Sequence, residues 1–548
     1  MITRRHMLAL PAALYAANAA TAASATSAAS AGIPADAAPA LDDMQLGHLQ
    51  YIANVARRRH NDWTGMDSEE PGQGGFDAYR YQLAMMAYTV HLANYHYTPA
   101  WRDGPQATSE KLIEKMMRFD VWSFWEMTSR GAKQFDPSLA ALSEGWRDPV
   151  IRQNIMYSGH LFHMVTAYGM LYDSARYEQP GALTFIYNPT GRGLGKEEYP
   201  YDTLKLAEVL RQQFDANGYA GIECEPNAIF VECNQHPILG FRMLDHRRGS
   251  SYYPEVSGRY LKVFEEQQFF DPKNGSSMFF KMIKQDRKVP AQMPWNDGWA
   301  GTFMHGWAPE KVAQVYPLLK GKYVVRQADG SAVIPFQKPG PFWSWDNGFF
   351  AALAAEVGDV ETSRSMLAYA DRHWSPTWEQ GGLNYPRNDA FDDGSGRGNG
   401  IAQRFSSPRV NTLTGNGLLG LARINPGRGL LGMVQRPWTA EHFRQPHITD
   451  VSPQTQVAQA VFDPAAQALN LRFKPRRGAG ASRTSLNVRN LQAGAAYAVM
   501  LNGSAVARLS GNAAQSTVSA VAAQWRDGAL SLTLPQRGDT TVVVRRTA

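Results

Sequence analysis

A chain of 548 residues and 60.7 kDa can bury a large core and is long enough for two or more domains. A hydrophobic fraction of 44% with 14 Trp, 23 Tyr and 24 Phe excludes a disordered protein and suits a cavity for an apolar or ring-shaped ligand. The net charge of +6 is scattered among aromatics and acids, and its one tight run, Arg57-Arg58-Arg59, reads as a solvated helix face, not a nucleic-acid patch.

The first residues, "MITRRHMLALPAALYAANAATAASATSA", place Arg4-Arg5 before a small-residue apolar stretch, with an A-x-A cleavage site at Ala23-Ser24-Ala25. This pattern predicts a secretory leader over residues 1–30, by the twin-arginine route, and an exported, periplasmic protein. No later segment has the roughly 18 uninterrupted apolar residues of a membrane span.

From residue 31 to 435 the chain alternates amphipathic stretches with turns rich in Gly, Pro, Asn and Asp. "KLAEVLRQQFDANG" has apolar residues at helical spacing and a glycine stop. "HLFHMVTAYGMLYDSARYE", "HPILGFRMLDHRRGSS" and "DNGFFAALAAEVGDVETSRSMLAYADRHW" recur roughly every 50–75 residues as similar helical segments, the mark of stacked helical hairpins. A closed ring of such pairs, an (α/α)6 barrel, buries small-residue inner helices and gathers polar residues at one mouth. From 436 to 548, "ALNLRFKP", "TSLNVRNL", "AYAVMLNG", "AVARLSG", "GALSLTLP" and "TTVVVRRT" alternate between turns, predicting a C-terminal antiparallel β-sandwich acting as a structural cap.

Both cysteines of the chain, Cys224 and Cys233, lie in "GYAGIECEPNAIFVECNQHP". Glu225-Pro226-Asn227 suits a helix start, which puts Cys233 about two turns inside the helix, roughly 10 Å beyond Cys224. A disulfide needs Cα atoms within about 7 Å and would require the chain to fold back. Zinc usually takes four ligands, and no second pair of ligand spacing accompanies these two. The third reading is a pair of thiols at a cavity mouth with Glu225 as a nearby carboxyl.

Upstream, "NIMYSGHL" places Tyr157 and His160 three residues apart at a helix start. Downstream, "QMPWNDGWAGTFMHGW" groups Trp295, Asp297, Trp299 and His305, "GPFWSWDNGFF" adds Trp345 and Asp346, and "EQGGLNYPRND" adds Tyr385. Such aromatic faces stabilise a cation by roughly 0.5–2 kcal/mol each.

Together "RYQLAMMAY" (residues 80–88), which brings in Tyr81, "NIMYSGHL", "AGIECEPNAIFVECN", "MHGW" and "GFFAALAAEVGD" resemble the linalool dehydratase/isomerase family, in order along the chain. The resemblance implies an (α/α)6 barrel, cofactor-free acid/base chemistry without a metal on a small hydrophobic, terpenoid tertiary allylic alcohol, and a homo-oligomer. It implies His160, Cys224, Cys233 and Glu225 as catalytic residues, with Tyr157, Trp295, Asp297, Trp299, Tyr81, Trp345 and Tyr385 as the substrate-binding wall. The family's Asp and Tyr on the first helix fall near Ala56 and "RRHND", where His60 and Asp62 are the stand-ins, and its Tyr before the "HG" string is Trp295 here. A second reading is a carbohydrate-active barrel such as a polysaccharide lyase, epimerase or hydrolase, working through Asp297, Asp346, Glu126 and Tyr385.

Overall fold

The computed structural model describes residues 39–66, 73, 75–188, 195–335, 343–387, 410–480 and 483–547, so the leader expected over residues 1–30 lies outside the described residues. Its N-terminal part is helical. The first helix, α1 (Asp43–Arg57), opens on a capping box in which Asp42 and Gln45 each accept the other's backbone N–H. The chain continues through α2 (Tyr79–Tyr97), α3 (Asp103–Met116), α4 (Ile155–Tyr172), α5 (Thr203–Ala216), α6 (Gln235–Arg248) and α7 (Tyr252–Glu266). It then forms α8 (Pro294–His305), α9 (Pro309–Tyr323), α10 (Trp343–Val357), α11 (Val360–His373), α12 (Leu419–Ile424) and α13 (Gly429–Gln435).

These helices are of two kinds. In α2, α4, α8, α10 and α12 nearly every residue is buried, as are the first turns of α6, whereas α1, α3, α5, α7, α9 and α11 bury one stripe. The buried helices are neighbours in chain order: α2 packs on α4, α4 on α6, α6 on α8, α8 on α10, α10 on α12, and α12 on α2 again. The one-sided helices pack outside them, α3 on α2 and α4, α7 on α6, α9 on α8, α11 on α10. Close approach of the buried helices needs small residues at the crossings. A Cβ on Gly298 of α8 would lie 2.8 Å from the backbone of Phe349 on α10. No helix among the described residues is long and apolar enough to cross a membrane.

Short strands decorate the loops. Hairpin β1 (Leu183–Tyr187) with β2 (Glu197–Tyr201) follows α4. A three-stranded antiparallel sheet joins β3 (Ala228–Phe230), β4 (Met278–Met282) and β5 (Arg287–Pro290), and so ties the cysteine segment to the loop before α8. Two further hairpins are β6 (Val325–Arg326) with β7 (Ala332–Val333), and β8 (Thr377–Glu379) with β9 (Gly382–Asn384).

Beyond α13 the chain forms two antiparallel sheets. One orders β10 (His447–Thr449), β13 (Arg483–Arg489), β18 (Ala529–Pro535) and β17 (Ala522–Arg526). The other orders β11 (Thr455–Asp463), β12 (Ala468–Pro475), β19 (Thr540–Arg546), β14 (Ala496–Leu501), β15 (Ser504–Ser510) and β16 (Ala513–Ser516). Their alternating apolar residues, among them Leu469, Leu471, Phe473, Val488, Leu530 and Val544, form a second core that also takes in Ala100 from the α2–α3 connection.

Candidate active site

The cysteine segment is a turn and a strand, not the helix expected from Glu-Pro-Asn. Pro226 and Asn227 occupy the two central positions of a type II turn: Asn227 has φ +74°, and the Ala228 N–H donates to the Glu225 carbonyl at 2.9 Å. Strand β3 follows, and α6 begins only at Gln235. Asn234 closes the loop, accepting from the Ile222 N–H at 2.7 Å and donating to the Ile222 and Phe230 carbonyls. The chain therefore folds back and brings the two thiols close enough to act on each other's protonation. Both are buried and unbridged.

The same loop starts α4. The backbone N–H groups of Asn154 and Ile155 donate to the carbonyls of Cys224 and Glu223, at 3.2 and 3.1 Å, which satisfies groups that a helix start leaves open. His160, on the second turn of α4, is fully buried. Its Nδ1 lies 2.9 Å from the Tyr88 hydroxyl of α2, and its ring is 3.8 Å, centre to centre, from that of His236 on α6. The Trp299 indole N–H of α8 donates to His236 Nε2 at 2.9 Å. Tyr81 of α2 stands edge-on to both His160 and Trp299, at 5.4 and 5.1 Å.

An aromatic wall extends outward. Trp295 lies 6.4 Å from Trp299, 6.3 Å from Trp345 of α10 and 4.9 Å from Phe76, ring to ring. Arg80, 1% exposed, stacks its guanidinium on Tyr81 and on Phe124, and donates to the Tyr81 hydroxyl and the Met156 sulfur. Its positive field reaches Glu225, Cys233 and His160.

Burial controls the protonation states. It pushes the Cys224 thiol well above its usual value, with the neighbouring Cys233 adding to the effect, and it raises Cys233 as well. Burial raises Glu225 to about 7, against the pull of Arg80, and Glu232 goes well above the carboxylate range for the same reason. Both oxygens of Glu232 are buried without a hydrogen-bond partner, as is one of Glu225. His160 is driven down to about 3 by burial and by Arg80, so its imidazole is neutral at pH 7. The cluster thus holds two thiols, an uncharged Glu232 and a Glu225 poised between its forms.

Not every expected residue joins this cluster. Cys224, Cys233, Glu225, His160, Tyr81, Trp299, Trp295 and Trp345 are placed together. Tyr157 is not: its hydroxyl donates to the Met116 carbonyl of the outer helix α3 and its ring meets Phe185. Tyr385 bonds Asp371 and Arg423 and stacks on His48, in the packing between α1 and the hairpin β8–β9. Asp297 anchors the loop before α8, accepting from Ser276, Ser277 and Tyr323. His60 is half exposed beside Glu114, and Asp62 bonds Thr64. Of the groups of the carbohydrate reading, two carboxylates, Asp297 and Asp346, do come near each other. Asp346 accepts from the Trp295 backbone near Asp297, while Glu126 pairs with Arg147 and Tyr187. Sequence reasoning missed Arg80, Tyr88, Glu232 and His236, although the first three stand inside the strings "RYQLAMMAY" and "AGIECEPNAIFVECN" that carried the resemblance.

Among solved structures, the chain is similar to a family 76 glycoside hydrolase (mannosidase) of Bacteroides thetaiotaomicron VPI-5482, at 10% identity over 69% of this chain and 97% of that one, with a TM-score of 0.36. It is likewise similar to the family 76 α-1,6-mannanase of Salegentibacter sp. HEL1_6, at 12% identity over 71% and 99% of the two chains, TM-score 0.38. The unsaturated glucuronyl hydrolase of Bacillus sp. GL1 matches at 9% identity over 70% and 97%, TM-score 0.40. The family model for linalool dehydratase/isomerase matches residues 80–391, the span that supplies Arg80, Tyr81, His160, both thiols and the tryptophan wall. By that match over more than half of its length, the chain belongs to the linalool dehydratase/isomerase family.

Proposed function

We propose that the protein is a carbon–oxygen lyase, with isomerase activity, acting on a hydroxylated hydrophobic molecule of the terpenoid tertiary allylic alcohol type. In this reading the six mutually packed helices are the inner layer of an (α/α)6 barrel, and the leader of residues 1–30 sends the protein to the periplasm. The observation that carries the proposal is the meeting of two reduced thiols beside Glu225, whose carboxyl is raised to about 7, under an aromatic wall.

Glu225 in its acid form donates its proton to the substrate hydroxyl, the C–O bond breaks, and water leaves. The allylic cation that remains lies against the faces of Trp295, Trp299 and Tyr81. Glu225, now a carboxylate in the field of Arg80, takes a proton from the thiol pair. In the same step the thiol pair takes a proton from the carbon next to the cation, so that no free thiolate forms, giving the alkene and restoring the starting state. When water instead adds to the other end of the cation, the Glu225 carboxylate takes the surplus proton, giving the transposed alcohol and restoring the acid form. Enclosure by aromatic groups protects the cation from bulk water.

The test is to incubate reduced protein with a panel of tertiary allylic alcohols and oligosaccharides and to follow each by mass spectrometry. Loss of an allylic alcohol is expected, with Cys224→Ala and Cys233→Ala slower by roughly 10²–10⁴-fold. Unchanged turnover in both variants, or consumption of an oligosaccharide alone, would overturn the assignment.

A further inference from the structure

Three imidazoles and a phenol, His160, His163, His236 and Tyr88, stack inside the helix ring, and among the described residues no carboxylate is a hydrogen-bond partner of theirs. An indole N–H can only donate. At 2.9 Å from Trp299 Nε1, His236 Nε2 must therefore be the acceptor, so His236 is neutral and carries its one proton on Nδ1. That Nδ1 lies 3.4 Å from both the Tyr88 hydroxyl and His163 Nδ1. Holding a proton, it accepts from neither. The buried Tyr88 proton has one acceptor left among these groups, His160 Nδ1 at 2.9 Å. A His160 that accepts at Nδ1 is neutral and carries its proton on Nε2, an atom buried without a hydrogen-bond partner in a ring flanked by Tyr81.

We propose that Tyr88 and His236 are positioning residues: a one-way hydrogen-bond chain, Trp299 to His236 and Tyr88 to His160, fixes His160 with its proton on Nε2, so that His160 meets the substrate oxygen as a donor and not as a base. The role given to the donor rests on the lyase reading; the tautomer does not. A donor at Nε2 holds the substrate hydroxyl by its lone pair and orients it for protonation, and it fits the neutral state that burial imposes on all three imidazoles.

Nitrogen-15 NMR of histidine-labelled protein, without any substrate, reads the tautomers directly. The expected result is His160 protonated on Nε2 and His236 on Nδ1. In Tyr88→Phe the His160 signals should move toward the other tautomer, and kcat should fall about tenfold with KM changed far less, the size of one lost hydrogen bond. A resting His160 protonated on Nδ1, or a Tyr88→Phe protein with the His160 tautomer unmoved, would overturn the inference. If Tyr88→Phe does not fold, the wild-type spectrum alone decides. A protein with the expected tautomers that leaves every allylic alcohol intact would keep the inference and remove the lyase reading.

Discussion

Glu225 follows Cys224 directly, and the turn imposed by Pro226 and Asn227 brings its carboxyl into the field of Arg80 and beside both thiols. In the proposed mechanism its acid form is the proton donor, so the rate should decline as pH rises through about 7, and this limb should be absent from a weakly active Glu225→Gln. The linkage to stability has the same sign. The folded value lies above the ordinary 4.5, so the contribution of the neutral carboxyl is complete below about 4.5 and is lost as pH rises through about 7. Thermal melts from pH 4 to 8 should show Glu225→Gln gaining on the wild type toward high pH; parallel curves would contradict the burial argument. At this scale Cys224, Cys233 and Glu225 were legible because they stand in one short stretch, and His160 because the resemblance carried it. Tyr88 and His236 were not, because each takes its meaning from a partner on another helix: His236 from Trp299, 63 residues away.

The start of α8 shows how an element can mislead a reader of the sequence. "PWNDGW" places Asp297 between two wall tryptophans, yet its carboxylate accepts from the Ser277 N–H and from three hydroxyls, fastening β4 and α9 to this helix. Asp297→Ala would orphan those donors and should cost about 3 kcal/mol in denaturant unfolding while the folded fraction keeps its turnover. An unchanged midpoint with lost activity would return Asp297 to the catalytic site. The cysteine loop was misread for a related reason: proline opens helices and type II turns alike, and the asparagine that tolerates positive φ is the signal that separates them. The strands quoted from the C-terminal part all form, since strict alternation is a local property, whereas β11, Thr455–Asp463, lacks it.

The two parts of the molecule share a seam. The Ala100 N–H donates to the Ala460 carbonyl and its own carbonyl accepts from Ile448, while Leu41 bonds Ala458, so the sandwich extends its pairing into the α2–α3 connection. Lys474 pairs with Asp43, and Gln456 reaches the Leu46 carbonyl. Calorimetry should therefore show one unfolding transition, and a protein truncated after residue 436 should be poorly soluble, having lost the cover of this edge. Two well-separated transitions, or a soluble and active truncation, would show that the sandwich is a detachable cap. By itself the sequence determined what depends on near neighbours: the helical and β-rich parts and the family, through strings of consecutive residues. Only the tertiary structure decided that the thiols meet, that Tyr157, Asp297 and Tyr385 turn to packing duties, and which way the hydrogen bonds around His160 point. Those outcomes depend on which groups distant segments bring within about 3 Å, and on the desolvation that follows, neither of which spacing along a chain encodes.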